Sequence, residues 1–193
     1  MSEHPPNGEL GGVLEELRAV TDDTRRVFGG LSAAQLNWKP SPEQWSVGQC
    51  FEHLIKTNRS FYPALEEVAR GGRRENLWER ISPLSGLFGW IVMRSLGSAR
   101  KFPAPRALQP SASDVDAAVI GRFVEQQGEL SGRMRAAEGS DLKRTVVTSP
   151  IAGFVTYSMF DACRIVVAHN RRHFAQARRV TEAVGFPRAS VRD

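Results

Sequence analysis

Cysteine is scarce in this chain. Its two cysteines, Cys50 and Cys163, lie far apart among 193 residues, which excludes a secreted disulfide framework and a zinc site of closely spaced thiolates. Both are expected as buried free thiols. Long apolar runs are lacking too: the most apolar stretch, LSGLFGWIVM, is cut off by Arg94, well short of a bilayer span. The opening residues MSEHPPNGELGG show no basic segment leading into an apolar one, so no secretory signal is expected. A soluble cytoplasmic protein without a membrane partner is the resulting expectation. The net charge is +5, but the basic residues fall in short groups without the interleaved aromatics or motifs of a nucleic-acid binder, and no nucleic-acid partner is expected.

Helical periodicity is abundant. With 41% hydrophobic residues, the length suits one domain with a sizeable core: residues 9–186 as a helical bundle, with a disordered tail at 1–8 and a second tail at 187–193. Leu10, Val13, Leu14, Leu17, Val20, Val27 and Phe28 recur at helical spacing and predict a first helix that stops at Gly29-Gly30. Ser46 is a good N-cap for a second helix over 47–70, with Trp45 packing back onto it and Pro63 kinking or breaking it. Residues 73–113 form a long connection whose middle is apolar. A third helix is expected from the SASD cap at Ser113 to about Ala137, with Asp114 and Asp116 in its first turn. A second connection follows over 138–154, where RTVVT is locally extended. The last helix is expected over 156–184. Four long amphipathic helices without a strand series predict an all-α fold, a four-helix bundle with a long connection between helices two and three.

On the last helix, positions 162, 166, 169, 173, 177, 180 and 184 share one face. They are Ala162, Val166, His169, His173, Ala177, Val180 and Val184, so two histidines interrupt an apolar seam. Side by side, two buried imidazoles need partners. Residues at i and i+4 project in the same direction, and both rings could turn a nitrogen to one divalent ion. Only four histidines occur; His4 lies in the tail, which leaves His53, at the edge of the inner face of the second helix, as a third ligand. Ordinary packing histidines are the competing reading. Cys50 is either a fourth ligand or a small buried hydrophobe, and Gln176 either a hydrogen-bonding neighbour of the site or a surface residue. Trp38 and Trp45 are read as core and loop anchors ahead of pocket walls, and Arg171, Arg172, Arg178 and Arg179 as a solvated outer face.

At these residues the sequence resembles the DinB family, also described as DinB/YfiT-like metalloenzymes. The resemblance covers about residues 10–184 and is carried by LNWKPSPEQWSVGQCFEHL, by the coil KFPAPRALQP and by HNRRHFAQ. It implies a four-helix bundle in up-down-down-up order and a zinc or nickel site made by His53, His169 and His173. Family members include transferases and isomerases that use the low-molecular-weight thiols bacillithiol or mycothiol, which makes a thiol co-substrate an implied option.

A three-histidine ion keeps an open coordination position, which is typical of catalytic sites. Where the HExxH peptidase motif has its glutamate, this chain has Asn170, which disfavours peptidase chemistry. Glu52 should point about 100° away from His53 around its helix, and no general base is assigned. The expectation is a divalent-metal-dependent thiol S-transferase or hydrolase acting on a small molecule. The alternative is a non-catalytic metal-binding or stress-response module with a mainly structural metal. A homodimer is allowed, since LFGWIVM could make either a dimer surface or a lid.

Overall fold

The computed structural model describes residues 8–71, 75–82, 85–96, 105–112 and 114–188. Most of the two expected tails, and Ser113, therefore lie outside the described residues. The first helix, α1 (Glu9–Phe28), buries Leu10, Val13, Leu14, Leu17, Val20 and Phe28, the stripe expected from its periodicity. It ends where a Cβ on Gly29 would come within 2.4 Å of the Arg25 carbonyl oxygen, so a glycine suits the stop. After the short α2 (Ala33–Asn37), Ser46 caps α3 (Val47–Ser60). The Ser46 hydroxyl accepts from the Gln49 N–H at 3.1 Å, and Gln49 Oε1 accepts from the Ser46 N–H at 3.2 Å. This reciprocal pair satisfies two of the donors a helix start leaves free.

The second predicted helix is broken. Phe61 separates α3 from α4 (Tyr62–Ala69). Pro63 falls in the first turn of α4, where its missing N–H costs nothing. The long connection carries α5 (Leu77–Ile81), α6 (Ser85–Leu96) and a 3-10 turn at Arg106–Leu108. Helix α7 (Val119–Ala136) begins later than its expected acidic cap: Asp116 accepts from the Ala118 N–H at 2.8 Å in a preceding turn, and no side chain caps the helix itself. The extended RTVVT segment forms β1 (Val146–Thr148), which pairs antiparallel with β2 (Thr156–Ser158). Because that strand takes Thr156, the last helix, α8 (Met159–Thr181), starts three residues later than expected, with the Ser158 hydroxyl accepting from the Asp161 N–H at 3.0 Å. It also ends before Val184, which is fully exposed, so the apolar seam stops at Val180.

Helices α7 and α8 each pack against both α1 and α3, which places the first two long helices on opposite corners of an all-helical bundle. Two apolar clusters fill it. One gathers Leu17, Phe61, Leu130, Met134 and Val166; the other is built on edge-to-face contacts of Phe51 with Phe28 and Phe123, at 5.2 and 5.0 Å between ring centroids. Between them lies a buried polar waist. On α3 it comprises His53, Thr57 and Asn58, on α7 Gln126 and Gln127, and on α8 Asn170 and His173. Its amides pair across helices, Asn58 Nδ2 donating to Gln126 Oε1 at 3.2 Å and Asn170 Nδ2 to Gln127 Oε1 at 2.9 Å.

Helix α6 packs on α8 and β2. Gly89 permits the approach, since a Cβ there would meet Asp161 Oδ2 at 2.9 Å. The apolar LFGWIVM run is thus two-faced: Val92, Met93 and Leu96 pack inward, while Leu87, Trp90 and Ile91 remain exposed. Among the described residues no helix is long and apolar enough to cross a membrane.

Candidate metal centre

The three histidines meet in the polar waist. His53 comes from the middle of α3, and His169 and His173 from successive turns of α8. Their ring centroids are 5.1 Å apart for His53 and His169, 4.7 Å for His53 and His173, and 4.6 Å for His169 and His173. One nitrogen from each ring lies within 4.8 Å of the others. His53 Nε2 and His169 Nε2 are 3.3 Å apart. Two nitrogens each bound at about 2.0–2.1 Å to one tetrahedral ion would be separated by about 3.3–3.4 Å, so the spacing of this pair fits a shared ion.

The tautomer of His53 follows from its other nitrogen. Nδ1 lies 2.7 Å from the Leu108 carbonyl oxygen, and a carbonyl only accepts, so Nδ1 carries the proton and Nε2 presents its lone pair to the cluster. Leu108 is held against α3 by a strap. Ser111 donates its N–H and its hydroxyl to the two Glu52 carboxylate oxygens, each at 2.6 Å, Gln49 Nε2 donates to the Ser111 carbonyl at 2.7 Å, and Lys56 Nζ to that of Gln109 at 3.0 Å. Glu52 does point away from the ring cluster, as the helical offset predicts, but it is tied to the segment that orients His53. Burial would raise its carboxyl, and the Ser111 bonds and Lys56 outweigh that to lower it.

All three rings are kept neutral. Burial lowers His53, the Leu108 hydrogen bond opposing it in part. His169 is held well below the usual histidine range by burial and by its neighbours His173 and His53. His173 is brought down to about 3 by burial, then by His53 and Arg172. Neutral imidazoles are the form that donates to a metal. Buried Nδ1 of His169 and of His173 has no hydrogen-bond partner among the described residues.

Around the rings a cavity of about 1210 Å³ opens to the outside. Trp45 is one of its walls: its ring stacks on His173 at 5.7 Å and 20°, and lies 5.0 Å from His53. The reading of Trp45 as a loop anchor thus gives way to that of a pocket wall, while Trp38 packs edge-on against Phe186 at 5.6 Å. Cys50 stands outside the cluster, in the apolar core built on Phe51, with its thiol pushed up to about 12 by burial. Arg172 is not part of a solvated face: Nη1 donates to the Ser95 and Leu96 carbonyls at 3.3 and 2.9 Å, tying the end of α6 over the cavity. Arg179 and Gln176 also line it. Leu108 lies in the coil KFPAPRALQP, but the role of its carbonyl as acceptor for His53 was not legible in the sequence, because a main-chain acceptor can come from any residue.

Fold and site together define a class, an all-helical bundle whose polar waist gathers three neutral histidines at an open cavity. The chain belongs to the DinB superfamily, whose family profile matches residues 16–177. Its fold is similar to that of YfiT from Bacillus subtilis, with a TM-score of 0.58 and 14% identity over 97% of this chain and 94% of that one. That structure is described as a probable metal-dependent hydrolase with an unusual four-helix bundle topology. The chain is also 25% identical to the uncharacterized protein YuaE of Bacillus subtilis strain 168, over 163 residues that cover 84% of this chain and 93% of YuaE.

Proposed function

We propose that the protein is a metal-dependent hydrolase of small molecules, with His53, His169 and His173 as the ligands of one divalent ion, zinc or nickel. The observation that carries the reading is the meeting of three neutral imidazoles, two of them with Nε2 atoms 3.3 Å apart, beside an open cavity. An ion shared by the rings would take up the lone pair that His53 Nε2 presents to the cluster. When bound, such an ion would supply Lewis acidity toward a carbonyl and acidify water.

The chain's own residues do the rest. The Leu108 carbonyl fixes the ring plane and tautomer of His53, as neighbouring groups do for metal-bound histidines generally. Trp45 shields one side of the cluster from water. The open cavity, with no fourth protein ligand in the cluster among the described residues, favours a catalytic over a mainly structural ion.

The test is metal content by plasma emission, beside turnover on simple esters and amides and on electrophiles supplied with glutathione, bacillithiol or mycothiol. About one ion per chain in the wild type, lost together with ester or amide turnover in His53→Ala, His169→Ala and His173→Ala, is expected. Equal metal content in wild type and variants would overturn the assignment. Turnover that requires a thiol would replace hydrolysis by transfer.

A further inference from the structure

The cavity is not uniform along α8, and its order carries information about what it holds. Side chains lining it from this helix run from Ile165 and Val166, through His169 and His173, to Gln176 and Arg179. At about 1.5 Å per residue the span is about 21 Å, with His169 about 6 Å and His173 about 12 Å from its Ile165 end. The Ile165 end is mostly apolar, with Met93 and Leu96 of α6 and Ile151 and Val155 of the hairpin segment beside Ser149 and Tyr157, and with Arg172 held at the Leu96 carbonyl. The other end is cationic.

Arg179 is the charge at that end without a job in the fold. Arg171 pairs with Glu16 at 3.4 Å, and Arg172 is committed to the Ser95 and Leu96 carbonyls. Arg179 lines the cavity and has neither an ion pair nor a hydrogen bond among the described residues. Arg179 lies about 9 Å beyond His173 along the axis, and helical side chains lean toward the helix N-terminus, which is the direction in which the rings lie. Gln176 lies between, one turn from each. The opposing charge is Glu43, fully exposed at the rim.

Resting on the hydrolase reading above, the geometry points to one substrate class: an acyl derivative of a small acid. Its apolar acyl chain lies at the Ile165 end, its amide or ester carbonyl at the histidines, and its carboxylate at Arg179. N-acyl amino acids have this order, with the carboxylate only a few bonds from the amide carbonyl. Hydrolysis of such a molecule breaks the bond from the carbonyl carbon to nitrogen, or to oxygen in an ester. That carbon gains the water oxygen, and the departing amine or alcohol takes a proton from the same water.

The test is calorimetric binding to the metal-loaded full chain, using N-octanoylglycine, its neutral glycinamide and N-acetylglycine, with metal content measured on the same samples. Arg179→Met should weaken N-octanoylglycine about tenfold or more, as expected for losing a hydrogen bond between charged groups, and leave the glycinamide unchanged. Arg178→Met, whose arginine pairs with Glu182, should change neither, and Glu43→Gln should tighten the carboxylate. Shortening the acyl chain to acetyl should weaken binding about 100-fold or more, given about 0.8 kcal/mol for each buried methylene. Equal affinity for acid and glycinamide, no effect of Arg179→Met, or no saturable binding at millimolar ligand would each overturn the inference. Anion selectivity in a protein that binds no metal would sink the metal assignment and the hydrolysis with it, and leave the binding order of the cavity standing. A metal-loaded protein without selectivity would do the reverse.

Discussion

His53 Nδ1 lies 2.7 Å from the carbonyl oxygen of Leu108. Because that carbonyl is held in place by the Glu52, Gln49 and Lys56 strap, the orientation of a ring at the centre of the bundle depends on a carboxylate at its edge. Glu52→Ala should therefore weaken metal binding by about 10- to 100-fold, the usual cost of losing a group that supports a ligand, with the three histidines intact. Competition against a chromophoric chelator measures it. Helix content by circular dichroism should stay at the wild-type level, because Glu52 belongs to no apolar cluster. Wild-type affinity in this variant would mean that the strap does not orient His53.

Trp45 supplies an optical report on the same rings. Of the four tryptophans, it is the one stacked on His173; Trp38 packs on Phe186, and Trp78 and Trp90 are exposed. Titrating the metal-free protein with cobalt or nickel should quench the emission. Trp45→Phe should remove most of the response while retaining metal by plasma emission. An undiminished response would mean that the ion binds elsewhere.

Much of this centre was legible in sequence because α8 is long and regular. Two histidines four residues apart in an apolar seam have to share a face, and His53 was the remaining histidine on a core-facing helix. The rest depends on contacts between distant segments. Asn58, Gln126 and Gln127 look like surface residues in a helical pattern, and only the packing of α3, α7 and α8 makes them a buried waist. Of the hairpin, RTVVT was legible as an extended segment, but its partner strand, Thr156–Ser158, lay at the start of the expected last helix. The paths of the loops carrying Trp45 and Leu108 are set by side-chain contacts such as Glu52 with Ser111, whose partners are 59 residues apart.

The buried histidines also set an acid dependence for the metal-free protein. His173 titrates at about 3 when folded and near 6.5 when unfolded, and His53 and His169 are lowered in the same direction. Between those values the unfolded chain binds protons that the folded chain refuses. Stability therefore falls as pH drops from about 7 toward 3, and these groups contribute no slope above about 7. Thermal melts of the metal-free protein at a series of pH values should show this loss. His173→Gln should flatten it. A melting temperature that rises on acidification would contradict neutral burial of the rings.

Asn170 stands between the two clustered histidines of α8 but takes no part in lining the cavity. It is fully buried on the other side of the helix, donating from Nδ2 to Gln127 Oε1 at 2.9 Å. The identity of residue 170 thus matters to the waist first. Asn170→Ala leaves Gln127 without that donor and should cost about 1–3 kcal/mol in urea denaturation, and Asn170→Ala combined with Gln127→Leu should recover part of it. Asn170→Glu, which writes the HExxH pattern into the chain, places a carboxylate among amides and apolar side chains with no cation to pair with. It should destabilise by about 3 kcal/mol or more and yield no peptidase activity, since a base at this position faces α7 and not the cavity. Wild-type stability in Asn170→Glu, or cleavage of a peptide panel by it, would show that position 170 can reach the cavity after all.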